Sequence, residues 1–406
     1  MVPVKFWSFG TYYKQKTGQV MKNILYAFLL LFCWGAYAAP TSNDYSNLFG
    51  AAKYLDDAAV AWGNVISGFG LGGNVAAYVQ DVRYDDIAAF TNAISVLGFN
   101  NTTMALYETN NHLDRAFSVV SMPLIGRRDG CVAGRLSCDN SRTLVLDGQV
   151  FGSFANYDSN ENAEFNTRNT GVSINAKMFV ADGLLFGASY TRTMTDTHDN
   201  RVYTDATGNS ITLFGEYLSQ SGFFINMGLN AGHISWAADK LIALIADSSV
   251  YDTDFFAGQL NSGMRILRGR ISIIPQISMR YTHIMTDNYI DSVAQEFSDW
   301  RYDTMTAMAG IDVGYDFVGS DFVVRPAIHI GGGYDVISDG TDNINVRLVG
   351  NQSYNIPINA PARSAFNGAL GVMFYSPYFN AGINYNLDVR SGYIAHTIGA
   401  MLKIGF

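Results

Sequence analysis

From about residue 143 to its end, the chain repeatedly alternates apolar residues with small or polar ones at a period of two. In the clearest case, segment 378–388, Phe379, Ala381, Ile383, Tyr385 and Leu387 share one parity, and Tyr, Asn, Gly or Asp occupies the other. Successive side chains of a strand point to opposite faces, so this pattern predicts strands with lipid on one side and a wetter space on the other. The pattern occurs in twelve segments, at 143–154, 169–180, 184–194, 210–218, 223–233, 255–266, 271–283, 305–317, 322–334, 364–374, 378–388 and 394–406.

The last of these segments runs to the final residue. Its apolar face contains Ile394, Ile398, Leu402, Ile404 and Phe406, and His396 interrupts this face. Chain termini of soluble domains usually fray, so a strand that ends with the chain favours a membrane barrel. The predicted fold is therefore an all-β, twelve-stranded antiparallel transmembrane barrel over residues 143–406, preceded by a mainly helical N-terminal segment.

The connections between the predicted strands alternate in length. They are short after the second, fourth, sixth, eighth and tenth strands and long after the first, third, fifth, seventh and ninth. Bacterial outer-membrane barrels have short periplasmic turns and long extracellular loops, which predicts both ends of the barrel on the periplasmic side. One long loop contains Ala237–Ala246, where we expect a local helix on the rim or, second, an adhesive patch. The loop at 335–361 is long enough to fold over the barrel mouth or to bind a partner.

Ten charged residues fall on the wetter parity of the strands, five of each sign. A charge on the lipid face costs about 2–4 kcal/mol at the bilayer midplane, so we expect these side chains to face the lumen. The balance of signs favours pairing across a hydrated lumen over a strongly ion-selective pore. The residues are Asp147, Lys177, Glu216, Arg265, Arg280, Asp312, Asp316, Arg325, Asp388 and Lys403.

Residues 1–38 have the organisation of a secretory signal. A basic start at Met21-Lys22 precedes a short apolar core and a small-x-small cleavage site at Ala38. The twenty residues before Met21 are either an extension of the signal or the result of a misplaced start codon. Removing residues 1–38 leaves 22 basic and 35 acidic residues, a net charge of −13. This acidic balance argues against nucleic acid as a partner.

Residues 39–142 differ in pattern from the barrel segments. Helical spacing predicts helices over Tyr45–Ala61, Ala76–Ala93 and Thr103–Val120, and the glycine run 68–73 between the first two predicts a hinge. No βαβ unit surrounds that run, which disfavours a dinucleotide site. In an oxidising compartment, Cys131 and Cys138 are expected to close a small disulfide loop. The sequence predicts neither a metal site nor a cofactor.

Residues 143–406 resemble the translocator domain of autotransporters, the type V secretion family. The resemblance rests on the strand count and on the segments RYTHIMTDNY, VGYDFVGSDFVVRPAIHIGGGYDV and YFNAGINYNLDVRSGYIAHTIGAMLKIGF. It implies a monomeric barrel in outer-membrane lipid that displays upstream sequence outside the cell, passing it through the lumen. It also implies periplasmic chaperones and an assembly machinery that recognises the last strand through Phe406, Ile404 and Leu402. The N-terminal segment is short for the family and has no β-helix repeat.

The helix predicted at Thr103–Val120 contains the dipeptide Asn110-Asn111. It resembles the pore-lining linker of autotransporters that release their passenger by cleavage between two asparagines, although such dipeptides are also common on surfaces.

The alternatives concern the loops and the outer surface. A stand-alone barrel would act as an adhesin or surface-binding protein through its long loops, with a host or surface ligand that the sequence does not identify. An outer-membrane hydrolase would need a serine beside His283 or His396, or loop acids such as Asp196, Asp199, Asp287 and Asp291 beside a histidine such as His198 or His283. The sequence lacks a recognisable arrangement of either kind, so we expect no enzyme.

Overall fold

The computed structural model describes residues 101–118, 144–158, 164–181, 183–198, 202–242, 245–292, 294–347, 353–358, 360–376 and 379–405. The signal at 1–38, the helices predicted before residue 100, the glycine run, Cys131, Cys138, Asp199 and Phe406 lie outside these residues. The helix α1 spans Asn101–Ser118, close to its predicted position at Thr103–Val120. Within the described part of the chain, no helix combines the length and apolar character needed to cross a membrane.

Twelve strands are long and six are short. The long strands are β1 Leu144–Asp158, β2 Glu164–Ala181, β3 Leu184–His198, β4 Val202–Leu218, β5 Phe223–Ile242, β6 Ile245–Met264, β8 Ile271–Thr286, β11 Trp300–Tyr315, β13 Val323–Gly340, β16 Ser364–Tyr375, β17 Phe379–Arg390 and β18 Tyr393–Gly405. The short strands are β7 Ile266–Arg268, β9 Tyr289–Ile290, β10 Glu296–Phe297, β12 Phe317–Val318, β14 Asn343–Arg347 and β15 Ser353–Pro357.

The twelve long strands form a closed antiparallel barrel. Each pairs with the next long strand along the chain, β8 pairs with β11, and β1 pairs with β18. The closing pair runs from Val145 opposite Gly405 to Tyr157 opposite Tyr393, so both ends of the barrel segment lie at one edge. The predicted strand count and barrel fold are confirmed.

The two parities of the strands face different environments, as predicted. Outward side chains are apolar and exposed, among them Ile174, Leu213 and Ile277 at 59–65 %. In β18, Ile398 and Leu402 point outward, whereas Thr397 is buried inside. Because the outward apolar side chains have no protein partner, they form the lipid-facing surface of a membrane barrel.

The short connections also follow the prediction. They lie at the edge where β1 begins and β18 ends, which we call the turn edge; the opposite edge is called the outer edge. Gly222 closes the turn between β4 and β5 with a φ of 94°, and a Cβ there would lie 2.5 Å from the Arg265 carbonyl oxygen. Glycine adopts this left-handed conformation without that clash.

Three of the five predicted long loops are wrong. Only residues 159–163, 199–201 and 243–244 separate β1 from β2, β3 from β4, and β5 from β6. The helix expected at Ala237–Ala246 is instead a strand pair, with Leu241 opposite Ala246. The sequence pattern ended each strand where its outward face became polar. Beyond the membrane, however, a strand needs only a hydrogen-bonding neighbour and no apolar outer face.

The other two long connections form a second, four-stranded sheet at the outer edge, which we call the cap. Its strand order is β15-β14-β10-β9, so two of its strands precede β11 and two follow β13. The Tyr289 ring stacks on Phe297 at 4.6 Å and on Tyr251 of β6 at 4.7 Å. Phe297 and Val346 are buried in the same apolar cluster as residues of α1. The described parts of the loop 335–361 therefore pack over the mouth of the barrel.

Candidate functional site in the barrel lumen

Helix α1 lies inside the barrel. Its side chains hydrogen-bond to β18, β2, β3 and β4, which lie along one part of the ring, and to Arg280 of β8, which lies farther round it. An 18-residue helix is about 27 Å long, comparable to the thickness of a membrane core. Met104, Leu106 and Leu113 are fully buried. The helix therefore fills much of the lumen along its axis.

Contacts at the two ends of α1 fix its direction. Tyr107 packs against Tyr393 at 4.6 Å and Tyr157 at 4.9 Å, and both of these residues lie at the outer edge. Ser118 Oγ donates a hydrogen bond of 3.1 Å to Gln149, which lies nearer the turn edge. The N-terminal end of α1 therefore lies toward the outer edge, and its C-terminal end lies toward the turn edge.

A buried pair of opposite charges anchors one face of the helix. The Glu108 carboxylate accepts hydrogen bonds from Asn169 Nδ2 at 2.5 Å and from Asn111 Nδ2 at 3.5 Å. The Arg115 guanidinium donates to Asn111 Oδ1 at 3.3 Å and to the Thr397 hydroxyl. Asn111 thus joins the two side chains, and each of them also binds the barrel wall, which offsets part of the cost of burying them.

His112 anchors a second face of α1. Its Nδ1 and Nε2 each lie 2.8 Å from a hydroxyl, those of Thr193 and Ser210 respectively. Its ring meets Phe255 edge-on at 5.3 Å between centroids. Gly208 makes room for it, since a Cβ at that position would lie 2.8 Å from His112 Nδ1. The wall formed by β2–β6 is thus shaped to receive the helix.

Eight of the ten charges predicted for the lumen lie in strands, Arg265 and Asp316 directly follow β6 and β11, and several of the ten are paired. Two ion pairs of 2.6 Å join members of the predicted set, Lys177 with Asp147 and Arg325 with Asp316. Glu216 and Arg265 are buried, Lys403 lies opposite Asp147 in the β1–β18 register, and Asp388 faces a cavity beside α1.

Two other predicted charges pair with residues that the parity argument did not include. Arg280 Nη1 lies 2.6 Å from Asp114 Oδ1 of α1. Asp312 Oδ1 lies 2.8 Å from His329 Nδ1 and accepts a hydrogen bond from Gln276. The first pair links the helix to the wall, and the second lies within the wall itself.

Sequence reasoning missed three residues of this network. His329 points inward on β13, four positions after Arg325 and on the same parity. The prediction of lumenal charges included only Asp, Glu, Lys and Arg, so it left out this histidine. Asp335 and Arg390 pair at 2.6 Å, and both lie just beyond the predicted ends of their strands at 334 and 388. Extending the parity by one or two residues would have found both.

The predicted cleavage dipeptide lies on α1 beside a cavity of about 60 Å³, enough for a few water molecules. Asn110, Asn111 and Asp114 line it from the helix, and Asp388 and Arg390 line it from the barrel. Asn110 Nδ2 donates a hydrogen bond of 2.9 Å to the Leu106 carbonyl. The asparagine pair and an acidic barrel side chain therefore share one hydrated space.

Besides His198, whose ring packs on Tyr203 at 4.7 Å between centroids, three histidines of the described residues face outward. His283 Nδ1 lies 2.8 Å from Asp303, and His396 Nδ1 lies 2.6 Å from the Tyr385 hydroxyl; neither contacts a serine in the hydrogen bonds of the described residues. The stacking of His396 on Phe154 at 4.8 Å accounts for a polar residue on the apolar face of the last strand.

The third outward histidine, His233, was missed by sequence reasoning and has a more suggestive environment. Its Nδ1 lies 2.7 Å from Asp254 and its Nε2 lies 3.1 Å from Ser235 Oγ. However, Asp252 is 3.2 Å from the same Nε2. A ring nitrogen that donates to a carboxylate has no lone pair to take a proton from serine, so the group is an ion-pair cluster and not a nucleophile with its base.

Comparison with known proteins agrees with this architecture. A family model described as the autotransporter beta-domain matches residues 147–386. Outer membrane protein A of Rickettsia conorii is 23 % identical over 261 residues, which is 58 % of this chain and 13 % of that protein. Outer membrane protein A of Rickettsia rickettsii is 22 % identical over 354 residues, or 81 % of this chain and 15 % of that protein. The chain thus spans a small part of the length of these relatives.

Solved structures show the same fold. The translocator domain of the autotransporter NalP from Neisseria meningitidis superposes with a TM-score of 0.57 at 11 % identity, covering 75 % of this chain and 99 % of that one. The beta domain of the Bordetella autotransporter BrkA gives 0.50 at 13 % identity, covering 65 % and 100 %.

Proposed function

The chain belongs to the autotransporter β-domain family, and from that premise, which makes it an outer-membrane translocator and anchor, we propose that it displays its own N-terminal segment at the cell surface. The observation that carries the proposal is the direction of α1. The helix runs through the lumen with its N-terminal end toward the outer edge and its C-terminal end toward the turn edge, a direction that supports exit of the N-terminal segment at the outer mouth. Residues 39–100 are then the displayed segment.

An epitope tag between Pro40 and Tyr45 tests this proposal on intact cells. We expect antibody labelling and removal of the tag by external protease, because a segment threaded outward through the lumen is exposed outside. A second tag beside Asp342 in the cap serves as the control for barrel orientation. If the Asp342 tag is labelled and the N-terminal tag is labelled only after permeabilisation, translocation is wrong. The adhesin alternative, in which the outer loops are the functional surface, would then take its place.

Cleavage between Asn110 and Asn111 is a second candidate, favoured by the cavity that both residues share with Asp388. In this reaction Asn110 Nδ2 leaves the Leu106 carbonyl and attacks its own backbone carbonyl carbon. The bond to the Asn111 nitrogen breaks, a succinimide remains on Asn110, and the proton lost by Nδ2 passes to the departing Asn111 amine. The Asp388 carboxylate, which lines the same cavity, would carry that proton.

Intact-mass measurement of the membrane-assembled protein tests this cleavage. We expect a barrel fragment that begins at Asn111 from the natural chain and an uncut chain from Asn110→Ala. Asn384→Ala, which removes a lumenal asparagine outside the pair, serves as the control and should still be cut. An uncut natural chain after assembly rules the reaction out and leaves the display proposal intact.

A further inference from the structure

A lysine and an aspartate meet on the inner face of the barrel near the turn edge. Lys177 Nζ of β2 lies 2.6 Å from Asp147 Oδ2 of β1, and the two side chains are only 5 % and 3 % exposed. In the strand register Asp147 lies opposite Asn175, and Lys177 follows two residues farther along β2 on the same face. The contact therefore joins two neighbouring strands through side chains that are almost completely enclosed.

We propose that this pair is a modification site, where Lys177 Nζ and the Asp147 side chain condense to form an amide bond. The bond cross-links β1 to β2 and uses only groups that the chain itself supplies. The cross-link is independent of the display of the N-terminal segment, because both residues belong to the barrel.

The reaction balances within the two side chains. A proton passes from the Lys177 ammonium to Asp147 Oδ2, which leaves a neutral amine beside a neutral acid. The amine nitrogen then attacks Cγ, its next proton passes to the Oδ2 hydroxyl, and that group leaves as water. One N–C bond forms and one C–O bond breaks, so an ion pair becomes an uncharged amide and one water molecule.

Burial favours this loss of charge. Two charges removed from water regain only part of their hydration free energy by attracting each other, and the amide carries neither charge. The neutral amine is also the nucleophilic form of lysine. The Phe214 ring centroid lies 5.8 Å from Lys177 Nζ, so an aromatic face takes the place of solvent beside the amine.

Asn175 prepares the carboxyl group for attack. Its Nδ2 donates a hydrogen bond to Asp147 Oδ1, the oxygen that remains in the amide. Negative charge develops on this oxygen when the amine adds to Cγ, and a donor already in place stabilises that charge. The other oxygen, Oδ2, faces Lys177 and is the one that leaves.

The fold brings the reacting groups together and covers them. Side chains held in contact by paired strands react as if at a concentration of about 10⁵–10⁸ M. Gln149, the next inward residue of β1 after Asp147, accepts a hydrogen bond from Ser118 at the C-terminal end of α1. The helix therefore lies above the pair and limits the access of water, which is the reagent of the reverse reaction.

A second amine competes for the same carboxyl group. Lys403 of β18 lies opposite Asp147 on its other side in the strand register. Lys177 is the assigned nucleophile because its Nζ is 2.6 Å from the leaving oxygen, and because it shares a strand face with the Asn175 donor.

Peptide mapping of the full chain, recovered from outer membranes and denatured, tests the proposal. Trypsin cuts after Arg168 and so separates Asp147 from Lys177 unless an amide joins them. We expect one branched peptide that contains both residues and weighs one water molecule less than its two parts. Its second branch should run past Lys177 to Arg192, because trypsin does not cut at an acylated lysine.

Matched variants identify the amine and the donor. Lys177→Arg keeps the positive charge and should lose the branched peptide, whereas Lys403→Arg should retain it. Asn175→Ala should slow the appearance of the cross-link at least roughly tenfold during refolding from urea into detergent, because it removes the oxyanion donor. A chain kept in urea should show no cross-link.

The map of the natural chain decides the proposal even where a variant fails to fold. Separate peptides from a folded natural barrel would refute the cross-link. A branch from Asp147 to Lys403 would overturn the assignment of Lys177, and a branched peptide in a chain that never left urea would show that the folded site does not form it.

Discussion

The covered wall of the lumen, β2–β6, and the open wall, β11, β13, β16 and β17, are built from the same sheet and differ in what faces them. On the covered wall, many hydroxyl and amide side chains are buried and bonded to one another or to α1, as in the Asn230 amide that donates to Ser210 and Thr212. On the open wall, glycines and half-exposed polar groups line the lumen. The comparison teaches that most contacts of the helix come from the covered wall, that Arg280 of β8 and Thr397 of β18 add polar contacts beside it, and that the helix does not fill the whole ring.

A single buried thiol in α1 can report how strongly each wall holds the helix. Ala116 of α1 is fully buried, so Ala116→Cys as the sole thiol reacts with maleimide only when the helix undocks. A tenfold faster reaction corresponds to about 1.4 kcal/mol of lost docking free energy.

Removing the buried guanidinium of Arg115 is expected to have the largest effect. Arg115→Met removes the charge-assisted hydrogen bonds to Asn111 and to the Thr397 hydroxyl, at about 1.5–3 kcal/mol each, so the thiol reaction should accelerate at least a hundredfold. The double variant Glu108→Gln with Arg115→Met removes both charges and should recover much of this loss. If the double variant is as fast as the single one, the two charges do not stabilise each other in the lumen.

Replacing His112 should have a smaller effect on the thiol reaction and should also distinguish the two walls. His112→Phe keeps the ring but leaves the Thr193 and Ser210 hydroxyls without it, at about 1 kcal/mol each, so we expect a roughly thirtyfold faster reaction. His329→Phe makes the same change on the open wall. It should leave the thiol reaction as fast as in the chain that carries Ala116→Cys alone. Equal acceleration by both would mean that the open wall also holds the helix.

The strands could be predicted because lipid imposes a strict rule on the outward face. Every second residue must be apolar, and this leaves a signal in segments such as 378–388. The rule ends at the membrane surface, which is why β3 and β5 continue beyond their predicted ends through residues such as Asp196 and Asp239. There the pairing comes from the neighbouring strand, and no pattern within one segment reveals it.

The site was predicted only in part for a related reason. Parity identifies which charges point inward, and it indicated Arg280 and Asp312 as lumenal. Their partners come from elsewhere in the chain: Arg280 meets Asp114, 166 residues away, and Glu108 meets Asn169, 61 residues away. Such pairings depend on how the helix is rotated inside the barrel, which follows from packing and not from any sequence period.

Glycine positions offer a test of shape rather than charge. At Gly208 of the covered wall, a Cβ would lie 2.6 Å from Thr193 Oγ1 and 2.8 Å from His112 Nδ1. Gly208→Ala should therefore displace His112 at a cost of about 1 kcal/mol and speed the reporter roughly fivefold. At Gly371 of the open wall, the nearest atom to a Cβ is a carbonyl oxygen at 3.4 Å. Gly371→Ala should leave the rate unchanged; a slower rate for Gly208→Ala would show that its contact with His112 is not tight.

The smallest effect is expected at Asn384, an inward residue of β17 on the open wall. It is half-buried and lines the lumen, so water replaces its amide when Asn384→Ala removes it. We expect a docking change below about 0.5 kcal/mol, or roughly a twofold change in thiol reactivity. Asn230→Ala, on the covered wall, removes an amide that is 1 % exposed and bonded to two hydroxyls, and should exceed this effect clearly. If Asn384→Ala matches Asn230→Ala, the helix depends on both walls, and one-sided docking does not explain its position in the lumen.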